Sequence, residues 1–160
     1  MSTESLPVIA IMGGTGDLGT GLARRWLQAG YQVIIGSRTR EKAVAACDSL
    51  REVMAERGTS EISVQAMENR PAAEAADIVV VTVPFSHQVS TLEDVRDALA
   101  GKILVDVTVP LVPPKVARVQ LPAEGSAGQI AQTLLGDEVS VVSAFQNVAA
   151  HHLQAEGEVD

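Results

Sequence analysis

Gly14, Gly16 and Gly19 set a G-x-G-x-x-G spacing inside Gly13-Gly14-Thr15-Gly16-Asp17-Leu18-Gly19. The apolar run Val8-Ile9-Ala10-Ile11-Met12 precedes it. Leu22, Ala23, Trp26 and Leu27 follow it at the spacing of one helix face. Strand, glycine turn and helix in that order form the setting in which this spacing serves dinucleotide binding. Gly14 then lets the chain turn sharply out of the strand. Gly16 lets the backbone approach a pyrophosphate with no side chain between, and Gly19 lets the helix pack closely on the strand. The helix start offers free N–H groups and a partial positive charge to the phosphates. The spacing alone also fits a ligand-free turn; the flanking pattern favours the dinucleotide site.

Strand-like and helix-like segments alternate along the rest of the chain. The strands read as Val8–Met12, Gln32–Gly36, Ile62–Ala66, Ile78–Val83, Ile103–Val107 and Val139–Ala144. Continuous apolar runs such as Ile78-Val79-Val80-Val81 suit a parallel sheet buried on both faces. Helices are expected over Asp17–Ala29, Arg40–Glu56, Pro71–Ala75 and Ser86–Leu99, with a fifth from Ser126 to Gly136. Val89, Leu92, Val95 and Leu99 give the buried face of the fourth, and Ser86 its N-cap. Ser126 and Gln129 have the spacing of a capping box. The fold class is α/β, a Rossmann-type doubly wound parallel sheet of about six strands in the order 3-2-1-4-5-6. Residues 1–160 read as a single nucleotide-binding domain, with an irregular proline-rich stretch over Pro110–Pro122 and a frayed acidic tail over Gln154–Asp160. The ligand crevice is expected between the ends of the first and fourth strands, at Met12–Gly14 and Thr82–Phe85.

The composition agrees. With 46% hydrophobic residues in 160, one domain can bury a core, and with 2% aromatics that core must be aliphatic. A net charge of −8 argues against general nucleic-acid or anionic-membrane binding. Cys47 is the one cysteine, read as a small packed residue within a helix, so no intrachain disulfide can form. The polar start Met1–Pro7 lacks a signal-peptide layout, and no apolar run is long enough to span a bilayer. A cytoplasmic protein is the expectation.

The second strand's end selects the nucleotide. An acid there would hydrogen-bond a ribose 2′-OH and repel a 2′-phosphate. This chain has Gly36-Ser37-Arg38-Thr39-Arg40-Glu41-Lys42, with no acid at the tip. Arg38 presents a planar fork of donors suited to phosphate, Ser37 adds a hydroxyl, and Lys42 lies one turn into the next helix. NADP(H) is expected over NAD(H), with Arg40 solvated.

These segments together resemble the NADPH-dependent coenzyme F-420 reductases. The resemblance rests on residues 13–23, Ile35-Gly36-Ser37-Arg38, Glu41-Lys42-Ala43, Ala76-Asp77-Ile78 and Thr82-Val83-Pro84. It continues through Val109-Pro110-Leu111-Val112-Pro113, Ser126-Ala127 and Val141–Ala144. It implies an oxidoreductase that passes hydride directly between NADP(H) and a small-molecule 5-deazaflavin, coenzyme F-420, with no metal. By the same resemblance Thr15, Gly16, Asp17 and Leu18 meet the pyrophosphate, and Ser37, Arg38 and Lys42 meet the 2′-phosphate. Val83, Pro84, Phe85 and His87 flank the ribose and nicotinamide, and Ala149 or Ala150 falls near the carboxamide. Three residues depart from the family pattern: Asp17 stands where Asn is common, Phe85 where some members have Trp, and Gln146 where some have His. The Asp17 side chain is expected to turn away and cap its helix. Family chains continue for about fifty more residues, into a helical portion that helps close the deazaflavin pocket and form a homodimer. That portion is expected to be absent here.

His87 reads equally as a ribose or phosphate contact and as a partly exposed first-turn residue. Ser86 beside it has poor geometry for a nucleophile–base pair. His151-His152 lacks further ligands at metal spacing and reads as surface. Asp106 either orients a substrate or binds the loop backbone that Thr108 begins. Two other functions stay open: a non-catalytic or truncated NADP(H)-binding module, and another NADP-linked reductase such as a metalloreductase-like domain.

Overall fold

The structure, a computed structural model, describes residues 5–111, 118–155 and 157. Strands β1 (Ile9–Met12), β2 (Val33–Ser37), β3 (Val64–Glu68), β4 (Ile78–Val81), β5 (Ile103–Asp106) and β6 (Ser140–Ser143) form one sheet. Its order is β3-β2-β1-β4-β5-β6, and every neighbouring pair is parallel. The order reverses between β1 and β4, where a doubly wound sheet opens its crevice. The expected fold class and strand order are the observed ones.

Alternation along each strand builds two aliphatic cores. Ile9, Ile11, Val33, Ile35 and Val80 face helices α1 (Asp17–Gln28) and α2 (Arg40–Glu56). Ala10, Met12, Ile34, Val79 and Val81 face α3 (Asn69–Ala75), α4 (Gln88–Val95) and α5 (Ala127–Leu135). Burial on both faces is why these strands read as unbroken apolar runs. A sixth, short helix, α6 (Ala150–Gln154), packs Leu153 into the first cluster. Cys47 is buried in that cluster, and burial pushes its thiol up to about 11, as a packed and unreactive residue requires.

Several expected boundaries move. β3 runs two residues later than Ile62–Ala66, because its ladder follows β2 from Val33↔Val64 to Ser37↔Glu68. The helix expected from Pro71 begins at Asn69. The single helix expected over Ser86–Leu99 is three pieces: a 3₁₀ turn at Phe85–His87, then α4, then a 3₁₀ turn at Arg96–Ala98. Ser86 therefore lies inside a turn and is not the N-cap; His87 holds that position without a side-chain cap bond. Val89 is 41% exposed, and Gln88 takes the buried position instead. Ser126 does cap α5, accepting from Gln129 N at 3.1 Å, and the helix stops at Gly136 as expected. Residues 112–117 of the proline-rich stretch, and residues 156 and 158–160 of the acidic tail, lie outside the described residues.

Candidate functional site

The strand register brings Met12, Gly36 and Val81 level at the C-terminal edge of the sheet. A cleft of about 890 Å³ opens there. Its floor is the glycine turn, and its construction differs from the motif-based expectation. Gly13, not Gly14, carries the left-handed turn, at φ 67°. A Cβ on Gly14 would sit 2.7 Å from Ile11 O, so Gly14 is small because it is packed against the strand it leaves. Its N–H donates to Gly36 O at 3.1 Å, fastening the turn to β2. Gly19 faces the Gly14 backbone, with 2.7 Å left for a Cβ, as close helix–strand packing demands. A Cβ on Gly16 would meet nothing within 4 Å, and Gly16 lines the cleft. Thr82, from the far side, donates its hydroxyl to Met12 O at 3.0 Å and Gly13 O at 3.1 Å.

Gly16 is the N-cap of α1, with no side-chain cap bond, so the first-turn N–H groups are left for another acceptor. Asp17, expected as a cap, is instead the first helical residue, and its carboxylate is exposed. Thr15, Gly16, Asp17, Leu18 and Gly19 all line the cleft. At one end β2 delivers Ser37, followed by Arg38 and, one turn into α2, Lys42; all three line the cleft. Ser37 is buried and its Oγ accepts from Thr39 N at 3.5 Å. Arg38 and Lys42 are exposed and, among the described residues, have no hydrogen-bond or ion-pair partner. At the other end β4 delivers Val83, Pro84 and Phe85, with His87 on the following turn.

The sequence-predicted residues thus converge on one cleft, with two exceptions. Gly14 lies beneath the floor. Ala150 is not brought to the cleft: it opens α6, which packs on α1. His151 and His152, also on α6, meet edge to face with ring centroids 4.1 Å apart, and among the described residues no cluster of His, Cys, Asp or Glu could hold a metal ion.

Three features go beyond the sequence-based expectations. Asn69, at the start of α3, lines the cleft with its Oδ1 buried and unpartnered. Gln88 and Asp106 form a buried hub under the β4–β5 side. Gln88 Nε2 donates to Asp106 Oδ2 at 2.7 Å and to Ala127 O at 2.9 Å. Asp106 Oδ1 accepts from Thr108 N at 3.0 Å, so Asp106 does bind the loop backbone, and Thr108 lines the cleft. Burial raises the Asp106 carboxyl above its ordinary value, and the Thr108 and Gln88 hydrogen bonds oppose that rise. The third feature is the grip of α1 on α6. Arg24, 1% exposed, donates to Gln154 O and Ala155 O, while Arg25 reaches Leu153 O and His152 O, both at 3.1 Å.

The chemistry of the donors fits a phosphorylated dinucleotide: a bare helix start, an open space at Gly16, and at the β2 tip two cations without a partner among the described residues. Residues 8–110 match the profile of a family described as NADP oxidoreductase, coenzyme F420-dependent. The chain belongs to that family. The F420-dependent NADP reductase of Methanocaldococcus jannaschii is 42% identical to it, over 88% of this chain and 63% of that protein. The enzyme of the same name from Methanothermobacter thermautotrophicus is also 42% identical, over 91% of this chain and 63% of its own length. This family member therefore spans under two thirds of those relatives. A crystal structure of a candidate F420-dependent NADP-reductase from Arthrobacter sp. FB24 superposes with a TM-score of 0.72 at 25% identity, over 91% of this chain and 65% of that one. Among the described residues no helix is long and apolar enough to cross a membrane.

Proposed function

We propose that this chain binds NADP(H) across the cleft as a single nucleotide-binding unit and takes part in hydride exchange with the deazaflavin coenzyme F420. The observation that carries the reading is the pair of unpartnered cations, Arg38 and Lys42, at the β2 tip, where an NAD(H) site would carry an acid. In this reading Thr15, Gly16, Asp17 and Leu18 face the pyrophosphate through α1's first turn. Gly14 and Gly19 shape that turn from below. Ser37, Arg38 and Lys42 hold the 2′-phosphate. Val83, Pro84, Phe85 and His87 flank the ribose and nicotinamide, and Thr108 closes the wall that Asp106 supports. When bound, the nicotinamide supplies or accepts a hydride at its C4, so the side chains' task is to align and to exclude water. The curated relatives' names support the deazaflavin as the other reactant. A net charge of −8 supports a small-molecule rather than a nucleic-acid partner.

Two measurements test this. NADPH is expected to bind at least about tenfold more tightly than NADH, and Arg38→Ala to remove most of that preference, because one charge-assisted pair contributes about 1.5–3 kcal/mol. Equal affinities in the wild type would sink the phosphate clamp. Oxidised F420 mixed with NADPH and the protein should lose its visible absorbance. Tight NADPH binding with no bleaching would leave the nucleotide site standing and overturn hydride transfer.

A further inference from the structure

The first turn of α1 is held from outside the cleft. Thr20 N donates to Gly16 O at 2.9 Å, and Thr20 Oγ1 donates to the same carbonyl at 3.0 Å. From α6, Gln154 Nε2 donates to Thr20 Oγ1 at 2.9 Å and to Asp17 O at 2.9 Å. A hydroxyl that receives a hydrogen bond from Gln154 must spend its own proton elsewhere, and Gly16 O is the nearest acceptor. The Gly16–Asp17 and Asp17–Leu18 peptides are planar and trans, so each N–H points opposite to its C=O. Holding the Gly16 and Asp17 carbonyls back along the helix therefore aims the Asp17 and Leu18 N–H groups forward. Both of those residues line the cleft.

The brace is itself anchored. Arg24 and Arg25 donate to main-chain carbonyls at the end of α6, and Gly21 leaves 2.8 Å between its own missing Cβ and Leu153 Cβ. These anchors use main-chain carbonyls, that of Gln154 among them, and not its side chain, so the amide is left for Thr20 and Asp17.

We propose that Thr20 and Gln154 are positioning residues for the pyrophosphate: a hydrogen-bond relay from α6 orients the first-turn N–H groups of α1. The inference rests on the NADP(H) reading above and adds residues outside the cleft to it. Because the relay acts on the pyrophosphate alone, it affects NADPH and NADH alike.

The test measures NADPH and NADH affinity for the wild type, Thr20→Val, Thr20→Ser and Gln154→Leu, with thermal melting of each ligand-free protein. Thr20→Val and Gln154→Leu should each weaken both nucleotides by about fivefold, the scale of one hydrogen bond. The NADPH:NADH ratio should stay at its wild-type value, and Thr20→Ser should bind as the wild type does. Wild-type affinity in both deletion variants overturns the relay, as does a change in the ratio or a failure of serine to restore binding. A lowered melting temperature with unchanged affinity also overturns it, since that marks a purely structural role. A wild type that binds neither nucleotide overturns the NADP(H) reading itself, and the relay with it.

Discussion

Four glycines within seven residues do three different jobs, and substitution separates them. Gly14→Ala puts a methyl 2.7 Å from a main-chain oxygen that cannot move without bending β1. The expected penalty is about 2–3 kcal/mol, or a melting temperature lower by about 5–10 °C. Gly16→Ala puts the same methyl into open space. Its ligand-free melting temperature should stay within about 1 °C of the wild type, while NADPH affinity falls by about tenfold or more, because the methyl occupies the approach of the pyrophosphate. Calorimetry and titration on the two variants check the contrast; a destabilised Gly16→Ala would mean that its open space is illusory. The spacing of these glycines was legible in the sequence, since each is fixed by residues within a few positions. Their division of labour was not. Gly13 has a positive φ, and a Cβ there would also lie 2.6 Å from Val83 Cγ1, seventy residues away in the chain.

Element by element, the reading succeeded where periodicity is local and failed where a distant partner decides. β1, β4 and the start of α1 follow from their own residues. The buried face of α4 does not: Val89 is the apolar choice, yet Gln88 is 0% exposed, its Nε2 donating to Asp106 and Ala127 while its Oε1 stays buried without a partner. Likewise α6 is held by arginines about 130 residues earlier, a pairing no local pattern announces. The Gln88–Asp106 hub makes a pH prediction. Burial raises the native carboxyl above the ordinary 3.8, so its contribution to stability is complete below that value and is lost as pH rises through the raised native value. Gln88→Leu removes a donor that favours the charged form. Above the raised native value it should destabilise by about 2 kcal/mol, because the ionised carboxylate loses a buried hydrogen bond. Below the raised native value the protonated carboxyl tolerates the loss better, and the penalty should shrink as pH falls. Urea denaturation over a series of pH values measures it; a penalty that does not change with pH would show that Asp106 does not titrate over that series.

At the scale of the molecule, the cleft belongs to neither half of the sheet alone. The α1 turn and the β2 tip come from the first three strands, and the Val83–Phe85 and Val107–Val109 walls come from the last three. The halves meet along β1 and β4, whose register runs from Ile9↔Ile78 to Met12↔Val81. A dinucleotide lying across that seam must touch both. Saturating NADPH at about 100 times its dissociation constant should then add about 2.7 kcal/mol to the unfolding free energy. The distribution of that gain is the sharper observable. Amide hydrogen exchange should slow on binding at Thr15–Gly19 and Arg38, and also at Val83–Phe85 and Val107–Val109. Adenosine 2′,5′-bisphosphate, which carries the 2′-phosphate and no nicotinamide, should protect the first set and leave the second near its ligand-free rate. Protection by NADPH confined to the first set would place the nicotinamide outside the β4–β5 wall. The 2′-phosphate clamp would then stand, while Val83, Pro84, Phe85 and His87 would lose their assigned place beside the reacting ring.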